Sequence, residues 1–290
     1  MTNGVLRIDR EALSLTENRR MGEERALYGS CGAWVKNCAF DGEEDGESAL
    51  KECSDVLVED TFCNLRYPFW HDTRLVIDRC ELTALCRAAL WYSEQIEIRD
   101  SRLHGIKALR ECADVHMRGC DIQSAEFGWS TRRATIEDCT AEGEYFMLRA
   151  EDLNIRDFRF KGKYSFQYVQ NAVIEDSDLN TKDAFWHAKN VTVRNSTVRG
   201  EYLGWYSENL TLIGCRIIGT QPLCYCKGLR LIDCEMIDTD LSFECSEVEA
   251  TLTAPIVSIK NPRAGSIRVP RVDEIILDDP LARGVILQGQ

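Results

Sequence analysis

The chain has 290 residues, 44% of them hydrophobic, and a formal net charge of -13. That much apolar material supports a continuous core, yet no apolar run approaches the ~20 residues that span a bilayer, so a membrane partner is not expected. The acidic balance argues equally against nucleic acid.

In chain order, residues 1–25 carry no repeat. Their opening, MTNGVLRIDREALSL, lacks a basic-then-apolar layout, so export is not expected and the cytoplasm is the expected location. The stretch 10–25, rich in Glu, Arg, Leu and Ala, reads as a short helix that caps an exposed end. From residue 26 a repeat sets in. Its clearest section, residues 191–231, reads VTVRNSTVRGEYLGWYSEN, then LTLIGCRIIGTQPLCYCKG, then LRL, a unit of 19 residues without a gap. Corner positions fall at Cys38, Thr61, Cys80, Ser101, Cys120, Cys139, Phe158, Ser177, Ser196, Cys215, Cys234 and Thr253. Their spacings are 23, 19, 21 and then 19 throughout, so two coils carry insertions, the longer being the acidic run DGEEDGE at 41–47. That run reads as a solvated loop, since its spacing fits no calcium-binding loop. After Thr253 the period loosens into short strand-like runs between Pro and Gly turns.

A fixed period with strand-type alternation in each unit specifies a solenoid of stacked coils. Three strands per coil over about twelve coils make an all-β, right-handed, single-stranded parallel β-helix, the hand following from parallel crossover connections. The expected layout is one body: a cap at 1–25, the helix at 26–260 and a cap at 261–290. Ile136, Ile155, Ile174, Val193, Leu212 and Leu231 should stack inward, while Glu137, Arg156, Glu175 and Arg194 alternate in charge outward. Asp138, Asp157, Asp176 and Asn195, and then Asn171, Asn190, Asn209 and Gly228, recur where left-handed backbone belongs, so they are corner formers rather than ligands. The 14 Cys follow the repeat. At their positions other coils carry Ser, Thr or Ala, so the thiols read as free, small and hydrophobic. Cys224 and Cys226 are two apart and no CxxC pair accompanies them, so no metal and no cofactor is expected.

The third run of each coil is where chemistry could sit. One column contains Trp70, Trp91, Arg110, Trp129, Trp186 and Trp205, and the next contains Glu111, Arg149, Tyr168, His187 and Tyr206. Charges in both columns require at least one of them to face solvent. Rings interleaved with carboxylate, Arg and His suit an oligosaccharide, whose rings stack on aromatics and whose hydroxyls need polar partners. A glycosidase or lyase would draw its catalytic groups from Glu111, Arg110, Arg149 and His187. Substrate would then lie on Trp70, Trp91, Trp129, Tyr168, Trp186, Trp205 and Tyr206. The alternative is a non-catalytic scaffold whose aromatic face docks another protein or forms a homodimer.

ERALY (residues 24–28), DGESALKEC (45–53), GWYSENLTLIGC (204–215) and GTQPLCYCKGLRLIDCEM (219–236) resemble a bacterial family catalogued only as a domain of unknown function, within the pectin-lyase-like β-helix superfamily. The resemblance covers almost the whole chain. It implies the β-helix fold and carries no established reaction or catalytic residues.

Overall fold

The computed structural model describes residues 6–42 and 46–289, so residues 43–45 of the expected acidic loop lie outside the described residues. The chain divides into two compact units, Met1–Phe146 and Met147–Gln290. Each is a parallel β-solenoid, and no helix among the described residues is long and apolar enough to cross a membrane.

In the first unit, seven strands stack into one sheet, beginning with Ser14–Glu17, Cys31–Lys36, Ser54–Glu59 and Thr73–Asp78 and ending with Arg132–Glu137. Registers such as Val58↔Ile77, Ile77↔Ile98 and Ile98↔Met117 align like with like, and these side chains are buried. The second unit repeats the plan with eight strands, from Glu151–Arg156 to Val285–Gln288. Its inward column Ile155, Ile174, Val193, Leu212 and Leu231 is at most 3% exposed. Burying such a side chain is worth about 1.5–3 kcal/mol, so one column is a large part of a coil's stability. A second sheet of shorter strands lies beyond the corner, for example Thr197–Arg199 beside Arg216–Ile218.

Regular pairing runs beyond 26–260 at both ends. The expected helix at 10–25 is absent: only Arg10–Ala12 forms a 3-10 turn, and Ser14–Glu17 is a strand paired with Cys31–Lys36. Residues 6–10 instead lie along the outer face of the first sheet. The Leu6 N–H donates to Glu97 Oε2 (2.7 Å), Arg74 donates to the Arg7 carbonyl (3.2 Å), and Arg10 pairs with Glu59 and covers Trp34. This strap sits directly against Glu59 and Glu97, which are buried on the same outer face as Leu57 and Val76. At the other end Ala264–Val269 and Val285–Gln288 continue the first sheet of the second unit.

The expected third strand is mostly a tight turn. In the first unit only two-residue strands form there (Phe69–Trp70, Leu90–Trp91, Leu109–Arg110), and in the second unit the run is turns until Ile256–Lys260 and Val272–Ile276 pair as strands in the last coils. The φ values give the reason. His71, Tyr92, Glu111, Arg149, Tyr168, His187, Tyr206 and Tyr225 all lie between +52° and +59°, a left-handed corner that non-glycine residues adopt at a cost. The two expected corners are left-handed as well, with Asp176 at +51°, Asn195 at +49°, Asn190 at +53° and Asn209 at +55°.

Corner chemistry also revises the reading of the cysteines. All 14 are free and most are buried, but they hydrogen-bond rather than merely fill space. Cys80 Sγ donates to the Asp78 carbonyl, Ser177 Oγ to the Glu175 carbonyl (2.7 Å) and Ser196 Oγ to the Arg194 carbonyl (2.6 Å). At several corners the oxygen or sulfur also accepts an N–H from the preceding coil: Phe158 donates to Ser177 (3.3 Å), Ser177 to Ser196 (3.0 Å), and Cys120 to Cys139 Sγ (3.3 Å). The second corner works alike, with Ser246 rather than Cys245 accepting the Cys226 N–H (2.9 Å). A small hydroxyl or thiol is therefore favoured at these corners, though Phe158 and Ala188 show that it is not obligatory in every coil. Ser177→Ala should cost about 1–3 kcal/mol in urea unfolding by orphaning a buried N–H, whereas Ser177→Cys should cost clearly less. Equal losses in the two variants would return the position to a demand for small size alone.

Candidate functional site

The left-handed third corner brings each aromatic column into ring-to-ring contact. In the first unit Trp70 stacks on Trp91 with centroids 5.0 Å apart and planes 2° apart. Lys51 lies over Trp70 (5.4 Å), and the Arg110 guanidinium sits between Trp91 (5.0 Å) and Trp129 (5.3 Å). Beside this pile His71 stacks on Tyr92 at 5.1 Å. In the second unit Trp186 stacks on Trp205 at 5.5 Å. Next to them runs a longer ladder. Arg149 covers Tyr168 (5.8 Å), and Tyr168–His187, His187–Tyr206 and Tyr206–Tyr225 follow at 4.9, 5.0 and 4.9 Å, with planes 9–12° apart.

The two columns differ in exposure. Trp70, Trp91, Trp129, Trp186 and Trp205 are half-buried, while Tyr92, Tyr168 and Tyr206 remain 42–45% exposed and His71, Glu111, Arg149 and His187 are exposed with them. The outer column therefore faces solvent and the Trp column supports it from behind. The indoles are also anchored through their N–H groups. Trp70 donates to the Ala88 carbonyl (2.6 Å), Trp91 to Lys107 (2.8 Å), Trp186 to Tyr202 (2.6 Å) and Trp205 to Gln221 (2.7 Å). Gln167 makes the same bond, to Asp183 (3.1 Å). Trp129 departs from the rule, its buried indole N–H having no partner.

Of the residues expected to act together, Arg110 and Glu111 meet as an exposed ion pair at 3.3 Å. Arg149 and His187 both join the ladder of the second unit but lie on opposite faces of Tyr168. Two further carboxylates near the strips are tied to cations, Glu126 to Lys107 (3.8 Å) and Glu244 to Lys260 (2.9 Å). Glu244 holds the Lys260 ammonium above its ordinary range by that hydrogen bond. Among the described residues no group of three His, Cys, Asp or Glu side chains could hold a metal ion.

Two features escaped sequence reasoning. One is a hollow of about 270 Å³ on the outer face of the first unit, lined by Glu97, Arg99, His116, Arg118, Thr135 and Glu137. The outward apolar residues Trp34, Leu57 and Val76 were the available signal that this face is partly covered. The other is the burial of two carboxyls, of which Asp183, on the coil of His187, is itself a candidate by sequence. Asp183 is pushed up by burial, with Lys182 opposing and Glu201 reinforcing. Asp72, 1% exposed, accepts the Cys53 N–H through Oδ1 (2.8 Å) while Oδ2 has no partner. Burial pushes it up to about 8.

The molecule is thus a repetitive β-solenoid with laddered aromatic faces and no assembled catalytic constellation among the described residues. A family model described as "Protein of unknown function (DUF3737)" matches residues 14–285, and the chain belongs to that family. No curated protein matches the chain. Among solved structures it is similar to the Streptococcus pneumoniae surface protein and adhesin PfbA, with 7% identity, 87% of this chain and 80% of that chain covered, and a TM-score of 0.41. It is also similar to the Azotobacter vinelandii mannuronan C-5 epimerase AlgE6 A-module, with 11% identity, 95% and 90% covered, and a TM-score of 0.34. The periplasmic alginate epimerase AlgG, as a double mutant, gives 11% identity, 90% and 75% covered, and 0.36. At these scores nothing about chemistry passes to this chain.

Asp72 yields a pH prediction. Its folded pKa of about 8 lies above the unfolded value of 3.8, so folding retains a proton in between. Its contribution is fully present below about pH 4 and is lost as pH rises to about 8. Asp72→Ser, the residue other coils carry, should gain melting temperature over the parent progressively between those limits and level off above them. A difference independent of pH would show that Asp72 is ionised in the folded protein.

Proposed function

We propose that the Tyr168–His187–Tyr206–Tyr225 ladder, backed by Trp186 and Trp205, is a non-catalytic binding face for an extended oligosaccharide. The carrying observation is a row of polar-tipped rings at a constant 4.9–5.0 Å pitch. Repeating donors and acceptors suit a ligand that itself repeats. Because most ring faces are occupied by neighbouring rings, recognition runs through ring edges, phenol hydroxyls and the imidazole rather than through flat sugar stacking. Binding is favoured over turnover because a glycosidase needs two carboxyls ~5–9.5 Å apart with at least one free to donate a proton. Glu111 and Glu244 are instead held in ion pairs, and Asp183 is buried away from solvent. Buried free thiols accord with a reducing compartment, and the same proposal assigns the protein to the cytoplasm.

A second reading rests on the first unit. Its Lys–Trp–Trp–Arg–Trp pile has the composition of a protein-binding hot spot, which favours docking of another protein there. Titration of an oligosaccharide panel by calorimetry separates the readings. Tyr206→Phe keeps the stack and removes one hydroxyl, and should weaken glycan binding about tenfold, as one lost hydrogen bond predicts. No glycan bound, or binding indifferent to Tyr206→Phe and Trp186→Ala alike, would overturn the saccharide reading. Release of new reducing ends that stops in Glu111→Gln would restore the enzyme reading.

A further inference from the structure

Through most of the second unit the core is sealed coil by coil, and in the last coil it is open. The inward column Leu231, Ala250, Ile267 is at most 5% exposed, but Ile286, which continues it, is half-open. Likewise Ile259 is buried, whereas Ile275, its register partner one coil further, is 39% exposed. Leu277, Leu281, Val285 and Leu287 add exposed apolar surface nearby. The strand Val285–Gln288 pairs with Ala264–Val269 on one side and with no other strand among the described residues. It carries no charge, proline or bulge, the devices that ordinarily stop an edge strand from recruiting a partner.

We infer that this edge is a homodimer interface: two copies pair antiparallel along Val285–Gln288, related by a two-fold axis. The occupant follows from charge and register. The neighbouring free edge, Val272–Ile276, carries Asp273 and Glu274, so pairing centred on it would bring like charges together. The strand at 285–288 opposes none. Facing residues of an antiparallel pair lie on the same side of a sheet, so inward must meet inward. Centring on Ile286 meets this condition. Ile286 then faces Ile286 of the second copy over the open core, and Val285 faces Leu287 of the second copy on the outside as an apolar cross-strand pair. A two-fold contact of this kind closes on itself and stops at two. It buries the open core residues and pairs the free backbone groups in one step, and it involves none of the aromatic ladder residues.

Sedimentation equilibrium of the full chain over a wide concentration range tests the inference. The expected result is a dimer that grows no further. Leu287→Lys places a cation opposite an apolar residue twice per dimer, and should halve the mass at a fixed concentration while leaving the circular dichroism unchanged. Val285→Lys, on the same outward face, should do the same, and Tyr206→Ala should remain dimeric. A monomer at every concentration overturns the inference. So does a dimer that survives both lysine substitutions, or one lost in Tyr206→Ala, and so do oligomers that keep growing with concentration.

Discussion

Turning a chain three times per coil leaves backbone N–H groups at each corner that cannot pair along the strand. Their partners must come from the adjacent coil. Most of the molecule's local chemistry follows from that demand. Flat stretches pair backbone to backbone, as Val191 and Val193 do beside Leu210 and Leu212. At two corners a hydroxyl, thiol or carboxyl from the next coil takes the donor, as Ser196 does for Ser177 and Asp72 does for Cys53. At the third, main-chain bonds such as His187 N–H to the Trp205 carbonyl (3.0 Å) suffice, and the side chains are released to stack.

Left-handed backbone at so many non-glycine residues is expensive, at ~1–2 kcal/mol each for ordinary side chains. The compensation is laddered. Asn171, Asn190 and Asn209 pass amide hydrogen bonds from coil to coil at 3.0–3.2 Å. Exposed pairs 19 residues apart, Arg194–Glu175 and Lys189–Glu208, add ion pairing that is individually small. The ring stacks do the same at the third corner. Each ladder rewards identical or complementary residues at one spacing, which is why the repeat is so visible in the sequence.

Periodicity made the two sheets, their inward columns and the Asp and Asn corners legible, because in each case one residue type recurs for one local reason. The third corner was not legible, since Tyr, Glu and Arg have no marked preference for positive φ, and alternation there imitates a strand. Whether Trp205 presents a face or an edge depends on that same φ, so aromatic content could be read but ring availability could not. Cys215 and Ser196 were recognised as interchangeable in size, whereas the shared hydrogen bond required coordinates. The strap at residues 6–10 repeats nothing and therefore left no signature of its own. Its trace lies on the face it follows, where buried Leu57 and Val76 break the inward-outward alternation of their strands.

The parallel indoles also have an optical consequence. Two chromophores held 5.0 Å apart with nearly parallel planes, as Trp70 and Trp91 are, couple their excited states and perturb each other's emission. A second such couple, Trp186 and Trp205, sits in the other unit. These two couples add to the near-ultraviolet signal a contribution set by the spacing between successive coils. Each unit thus carries a built-in gauge of its own coil register, readable without any added label.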